Sequence, residues 1–270
     1  MRFQELFADK ATVYKIILRL YNDAIQMCRQ AAKGVRVLMI RAVIFDVDGT
    51  LYNETDVKML AELSIAEYLC NRSGINVDSI YSTFRRVKRQ VIQTHRGLPE
   101  ANDRNKWYRE LLRELNISGI TDEELSGRYW QVIYDNMKPF EDFVYILPEL
   151  VERYQLYILT DELLDIHKRK LKCLGLDSIF RKTFSAEQAG VTKPDKKLFR
   201  YAISEIGEPE SSILMVGDNP VADIRGGKRA GIRTAWLKRG KYHYYPQSEE
   251  EKADIEFTSY VQLVGKIEGL

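Results

Sequence analysis

The run Val43-Ile44-Phe45-Asp46-Val47-Asp48-Gly49-Thr50-Leu51 constrains this chain more than any other segment. A short apolar stretch broken by two carboxylates at i, i+2 and then by Gly-Thr reads as a buried parallel strand that delivers acids to the C-terminal edge of a sheet. Alternation along an extended strand sends Asp46 and Asp48 the same way, and Gly49 lets the chain turn sharply and a ligand approach the backbone. The chemistry is expected at that edge.

The 270 residues suffice for one large domain or for a core with a smaller domain inserted. Residues 1–36 predict a helical extension, because Val13, Ile16, Ile17, Leu20, Ala24, Met27 and Ala31 recur at helical spacings. That face is expected to pack on the protein's own body, with a dimer or partner surface as the alternative. A first strand is expected over 35–45. Between Asn53 and Pro139 the pattern turns helical, over 56–72, 78–95, 104–116 and 122–137. Asn102 or Asp103 would cap the third helix, and Thr121-Asp-Glu-Glu enters the fourth in capping-box style. Four helices with no strand between them predict a separate bundle at 54–139. Strands and helices then alternate. The expected order is helix 145–153, strand Leu156–Thr160, helix 162–174, strand Phe180–Ser185, helix Lys196–Ile206, strand Ile213–Val216, helix 221–230, strand Thr234–Leu237, and a last pair at 254–258 and 259–267. This predicts a doubly wound, Rossmann-like α/β core from 37–53 and 140–270, with ligands beyond the carboxyl ends of a largely parallel sheet.

Composition excludes several function classes. Lys+Arg number 41 against 39 Asp+Glu, a net charge of +2, so no bulk attraction to nucleic acid is expected. No apolar run reaches the ~18 residues of a membrane span, and the N-terminus lacks the order of a signal peptide. A cytoplasmic protein with no membrane partner is expected, as monomer or dimer. Cys28, Cys70 and Cys173 have no metal or disulfide spacing and are expected to be small buried residues. His95, His167 and His243 are scattered, which argues against a His-based metal cluster or a Ser-His-Asp triad. The tyrosines at 242, 244 and 245 are expected in a loop away from substrate.

Three strands thus end in Asp46 and Asp48, in Thr160, and in Asp218 with Asp223 soon after, while Lys193 precedes a helix. Carboxylates clustered without His or Cys favour a hard cation with oxygen ligands, Mg²⁺. A carboxylate can attack phosphorus, a neighbouring carboxyl can move the protons of leaving group and water, and lysine with a hydroxyl can hold phosphoryl oxygens. Which aspartate attacks stays open at this level.

On these residues the chain resembles the haloacid dehalogenase-like (HAD) superfamily of hydrolases. The resemblance rests on Asp46-Val-Asp48-Gly-Thr50, on Thr160 ending an apolar strand, on Lys193-Pro194-Asp195, and on Gly217-Asp218-Asn219 running through Asp223 to Gly231. It implies Asp46 as nucleophile and metal ligand, and Asp48 as general acid/base whose backbone carbonyl touches the metal. Asp218 would complete the direct ligands, with Asp223 behind them at the metal site or reaching the ion through water. Thr160, Lys193 and the turn at Asp161 would bind the substrate phosphate, Lys193 also holding the charge of Asp46. The resemblance further implies a helical cap at 54–139 and a phosphatase acting on a small phosphorylated metabolite through an aspartyl phosphate. Dehalogenase relatives lack the second aspartate, whereas phosphoglucomutase-like relatives keep both, so transfer back to a sugar is an alternative; a non-catalytic scaffold using the N-terminal helix is another. Asp161 departs from the family's usual Asn or Gly, and its charge is expected to turn away or meet a cationic substrate group. Gly227 replaces a usual Ala, a small packing change. In the cap, Glu54, Asp56, Lys58, the basic run Arg85, Arg86, Lys88 and Arg89, and the loops His95–Gly97 and Asn102–Asn105 are open candidates for substrate contact.

Overall fold

The computed structural model describes residues 39–239, 242 and 246–270. The expectations placed on residues 1–38, which include the extension, the start of the 35–45 strand and Cys28, and those on His243, Tyr244 and Tyr245, lie outside the described residues.

Six parallel strands form one sheet in the order β3-β2-β1-β4-β5-β6: β1 Ala42–Phe45, β2 Gln155–Thr160, β3 Lys182–Ser185, β4 Ile213–Gly217, β5 Arg233–Leu237 and β6 Ile255–Phe257. The sequence winds outward in both directions from β1, so β1 lies at the point where strand order reverses, where α/β sheets bind ligands. Phe45 pairs with Ile158 on one side and Val216 on the other. That register brings the ends of β1, β2 and β4 level, and Asp46 N–H donates to the Val216 carbonyl at 2.9 Å.

Period-two alternation builds two cores on the two faces. Val43, Phe45, Ile158 and Val216 share one face with Phe143 and Leu263, while Ile44, Leu159 and Met215 pack on Leu198, Phe199 and Ala202. Between β1 and β2 the helices are α1 Glu54–Ser73, α2 Val77–Thr94, α3 Arg104–Glu114, α4 Asp122–Asn136 and α5 Glu141–Arg153. The first four pack on one another around Ile65, Phe84, Tyr108, Leu111, Leu125 and Tyr129, with Phe84 stacked on Tyr108 at 5.4 Å. Further along come α6 Leu164–Cys173, a single turn α7 Ala186–Ala189, α8 Lys196–Ile206, α9 Arg225–Ala230 and α10 Leu263–Glu268.

Several boundaries differ from expectation for identifiable reasons. The first strand is ladder-paired only from Ala42. α5 begins at Glu141 instead of 145, its first turn held by Asp142, which accepts from Arg239. Phe180 leaves β3 to pack edge-on against Phe45 at 6.2 Å. The expected 221–230 helix is a π-turn, Pro220–Ile224, running into α9, and the last pair is β6 and α10 joined by a 3₁₀ turn. Asp103, not Asn102, caps α3 by accepting from the Asn105 N–H at 2.9 Å. Thr121 Oγ1 accepts from Glu124 N–H at 3.1 Å, but the Glu124 carboxylate accepts from Tyr68 and Arg128, so only half of the capping box forms. Cys173 is exposed and Cys70 half-buried against the first core, contrary to the expectation of burial. A Cβ at Gly227 would lie 2.8 Å from Thr234 Cγ2, so the glycine makes room for the branched residue on β5. Among the described residues no helix is long and apolar enough to cross a membrane.

Candidate active site

The level ends of β1, β2 and β4 open onto a cavity of about 190 Å³ lined by Asp46, Asp48, Thr160, Asp161, Lys193, Asp218 and Asp223. All seven sequence-predicted residues therefore line one cleft, although they are drawn from widely separated parts of the chain between Asp46 and Asp223. Lys193 Nζ donates to Asp46 Oδ1 at 2.6 Å and to Asp223 Oδ1 at 2.7 Å. Thr50 Oγ1 donates to Asp46 Oδ2 at 2.9 Å and accepts from the Asp218 N–H at 3.1 Å, so one hydroxyl sets the spacing of β1 and β4 at the site. Asp223 Oδ2 accepts from the Asn219 N–H at 3.1 Å, tying the π-turn to the cluster.

Burial raises Asp223 to about 7, against the pull of the Lys193 charge and with help from Asp46. Lys193 is driven the other way: burial opposes its charge, but Asp223 and Asp46 overcome it and push the ammonium well above its ordinary value. Both trends leave the proton on the lysine. With Nζ 2.6 and 2.7 Å from two carboxylates, the lysine keeps it.

Asp46, Asp218 and Asp223 each present an oxygen within 4.8 Å of the others, and all three are buried. An all-oxygen, anionic donor set fits a hard divalent cation. The cradle is tight, since a Cβ at Gly49, whose φ is +88°, would lie 2.4 Å from Asp218 Oδ2. The Asp48 side chain is elsewhere. It accepts from Lys170 Nζ at 2.7 and 2.8 Å and from the Tyr52 hydroxyl at 2.7 Å, with Lys58 Nζ 3.9 Å away. Burial would raise its pKa, but the charges of Lys170 and Lys58 and the two hydrogen bonds prevail and hold the carboxyl far below its usual range.

Thr160 Oγ1 accepts from the Glu162 N–H at 3.1 Å, which leaves its hydroxyl hydrogen for a ligand. Asp161 is turned toward the protein: Oδ1 accepts from the Lys193 backbone N–H at 2.8 Å. Burial raises it to about 6 in spite of the Lys193 charge, with Asp46 and Glu162 adding to the rise.

Sequence reasoning missed Lys170, Tyr52 and Glu162. Lys170 is 1% exposed inside a helix otherwise rich in surface lysines, and nothing in its local sequence distinguishes it. Tyr242 lines the cleft, which corrects its placement away from substrate. Of the open candidates, Glu54, Lys58, Asn102 and Arg104 line the cleft, whereas Arg85, Lys88 and Arg89 line a groove between α1 and α2 that shares Glu54 and Lys58 with the cleft, and Arg86 pairs with Glu114 at 2.6 Å.

The fold and the cleft define a Rossmann-like α/β protein with a lysine-bridged acidic site at its switch point. The chain belongs to the haloacid dehalogenase-like hydrolases, the family that matches residues 40–231. Among its relatives is a glyceraldehyde 3-phosphate phosphatase of Methanopyrus kandleri, 27% identical over 238 residues that cover 86% of this chain and 99% of that protein. A HAD phosphatase from Thermococcus onnurineus superposes with a TM-score of 0.64 at 25% identity, covering 84% of this chain and 97% of that one. The HAD-hydrolase YfnB of Bacillus subtilis, crystallised bound to magnesium, has the same fold with a TM-score of 0.64 at 21% identity, over 85% of this chain and 99% of that one.

Proposed function

We propose that the protein is a Mg²⁺-dependent phosphatase that hydrolyses a small phosphorylated metabolite through an aspartyl-phosphate intermediate. The observation that carries the reading is the Asp46 carboxylate, buried at the strand end with one oxygen on Lys193 and the other on Thr50. Phosphatase relatives that align over nearly their whole length support it.

Asp46 attacks phosphorus, and the bond from phosphorus to the leaving oxygen breaks. Lys193 and Thr160 hold the phosphoryl oxygens as charge builds on them. Asp48 hands a proton to the departing alkoxide, then takes one from the water that attacks the aspartyl phosphate, releasing inorganic phosphate and restoring the Asp46 carboxylate. For the first of these transfers Asp48 must be protonated, which requires it to leave the Lys170 ammonium. Asp46, Asp218, Asp223 and the Asp48 backbone carbonyl would hold Mg²⁺, which when bound offsets the negative charge gathered between carboxylates and phosphate. In this reading residues 54–139 act as a cap over a core built from 37–53 and 140–270.

The test is phosphate release from p-nitrophenyl phosphate and a panel of sugar phosphates with Mg²⁺. Asp46→Asn is expected to lower kcat by at least about 10³-fold, since it removes the nucleophile. A rate equal to wild type would end the enzyme reading in favour of a scaffold. Interconversion of sugar phosphate isomers without free phosphate would replace hydrolysis by mutase-type transfer.

A further inference from the structure

The space around the phosphoryl site does not end at Lys58. Glu54 and Lys58, one turn apart on α1, line both the cleft and a groove of about 540 Å³ between α1 and α2, larger than the cleft's own 190 Å³ or so. Lys88 on α2 meets Glu62 on α1 at 2.5 Å, a bridge one turn beyond Lys58 that sets the two helices against each other. Tyr81, Arg85, Lys88, Arg89 and Ile92 recur at spacings of three and four, so one face of α2 forms the groove wall. Arg86, off that face, instead pairs with Glu114 on α3 at 2.6 Å.

Among the described residues that line the groove, Lys58, Arg85, Lys88 and Arg89 stand beside the two carboxylates Glu54 and Glu62. The lysines meet those carboxylates, and the exposed Arg85 and Arg89 carry the positive surplus. A basic run on a helix ordinarily faces water alone. These two arginines differ because they share their groove with the exposed Met59 and Ile92 and the half-buried Tyr81, and because the groove meets the cleft at Lys58. Apolar side chains suit the carbon skeleton of a leaving group. Guanidinium forks one turn apart, about 6 Å along the axis, suit the oxygens of an anion at its end. From Lys58 the arginines on either side of the Lys88–Glu62 bridge lie about one to two turns away, ~5–11 Å, which a pentose or hexose skeleton spans.

We infer that the substrate's leaving group is a sugar-sized skeleton with a second anionic group, a phosphate or a carboxylate, at its far end, and that Arg85 and Arg89 bind that group in the groove between α1 and α2. The inference rests on the phosphatase reading above. One phosphoryl group enters the cleft, the skeleton passes Lys58, and the distal anion meets the two arginines.

The decisive measurement is kcat/KM of the full chain with Mg²⁺ in two arms, with p-nitrophenyl phosphate as a substrate that has no distal anion. One arm sets fructose 1,6-bisphosphate against fructose 1-phosphate and fructose 6-phosphate; the other sets 6-phosphogluconate against glucose 6-phosphate. Wild type is expected to favour the two-anion ester by at least about tenfold, in the first arm if the distal group is a phosphate and in the second if it is a carboxylate. Arg85→Gln/Arg89→Gln is expected to shrink that preference by about tenfold, through KM of the two-anion ester. Arg85→Lys/Arg89→Lys keeps the charge and is expected to stay within about threefold of wild type, and Arg86→Gln to keep the wild-type preference. No preference in either arm overturns the inference, as does a full preference in an Arg85→Gln/Arg89→Gln protein with a native melting transition, or an equal loss in Arg86→Gln. Should the double variant not fold, Arg85→Gln and Arg89→Gln singly decide, each expected to lower the preference by about threefold. Any of these results alongside hydrolysis of p-nitrophenyl phosphate would sink this inference alone, whereas no release from any ester would take the phosphatase reading with it.

Discussion

At the scale of single residues, the site is held by contacts with little room for change. Gly49 occupies a left-handed conformation that side chains resist, and its missing Cβ leaves the space taken by Asp218 Oδ2. Gly49→Ala therefore meets both strain and a clash; a loss of about 2 kcal/mol or more in urea unfolding is expected, together with loss of phosphatase turnover. A variant with wild-type activity would show that Asp218 is free to move. Asp161 shows how a departure from the family pattern is absorbed. Its carboxylate accepts a backbone N–H from Lys193, the same hydrogen bond an Asn would accept there, so the extra charge is directed into the protein.

At the scale of elements, each strand of the central three contributes one part of the site and each following turn holds it. The first four helices between β1 and β2 are started by ordinary caps, and the cap of α4 stands on the surface. Thr121 caps α4 on the surface by accepting from the Glu124 N–H. Thr121→Ala is expected to cost about 1 kcal/mol in thermal or urea unfolding and to leave kcat and KM as in wild type. A changed kcat would mean that α4 transmits its stability to the cleft. The elements most legible in the sequence are those whose pattern has one solution: Lys196–Ile206 was expected and found with the same ends, because Asp195 caps it and Gly207 ends it in a left-handed turn. The sequence reads 221–230 as one helix, whereas the structure has a π-turn at Pro220–Ile224, within which Asp223 accepts from the Asn219 N–H and from Lys193.

Across the whole molecule, the C-terminal part of the chain is tied back to the segment that follows the helical insertion. Arg239, after β5, forms a two-pronged pair with Asp142 on α5 at 2.9 and 2.6 Å, and Asp142 also accepts from the Ser259 hydroxyl and the Tyr260 N–H. The Tyr260 hydroxyl in turn donates to the Thr50 carbonyl at 2.8 Å, which links this clamp to the site. Burial would raise Asp142, but Arg239 and the two other donors lower it to about 2. A carboxyl lowered on folding stabilises the native state above its ordinary pKa of 3.8 and loses that contribution as pH falls toward 2. Asp142→Asn is accordingly expected to destabilise by about 1 kcal/mol at neutral pH, less than the full shift would give because solvent screens the pair, with the gap to wild type closing between about pH 4 and about pH 2. Urea titrations across that range check the sign; a gap independent of pH would show that packing, not charge, is what the substitution disturbs.

Local pattern in the sequence determined the strand-end acids, the strand–helix alternation, the helical insertion and the oxygen-only chemistry of the cleft. Periodicity and turn residues act over a few positions, so these features were legible without knowing what lies opposite them. Only the tertiary structure decided that Lys193, expected on Asp46, also reaches Asp223, that Lys170 and Tyr52 hold Asp48, and that Glu162 pairs with Arg104. The physical reason is one of distance. A buried lysine and a surface lysine have the same local sequence, and the charge each one meets is set by register across the sheet and by a helix whose partner lies 58 positions away, between Arg104 and Glu162.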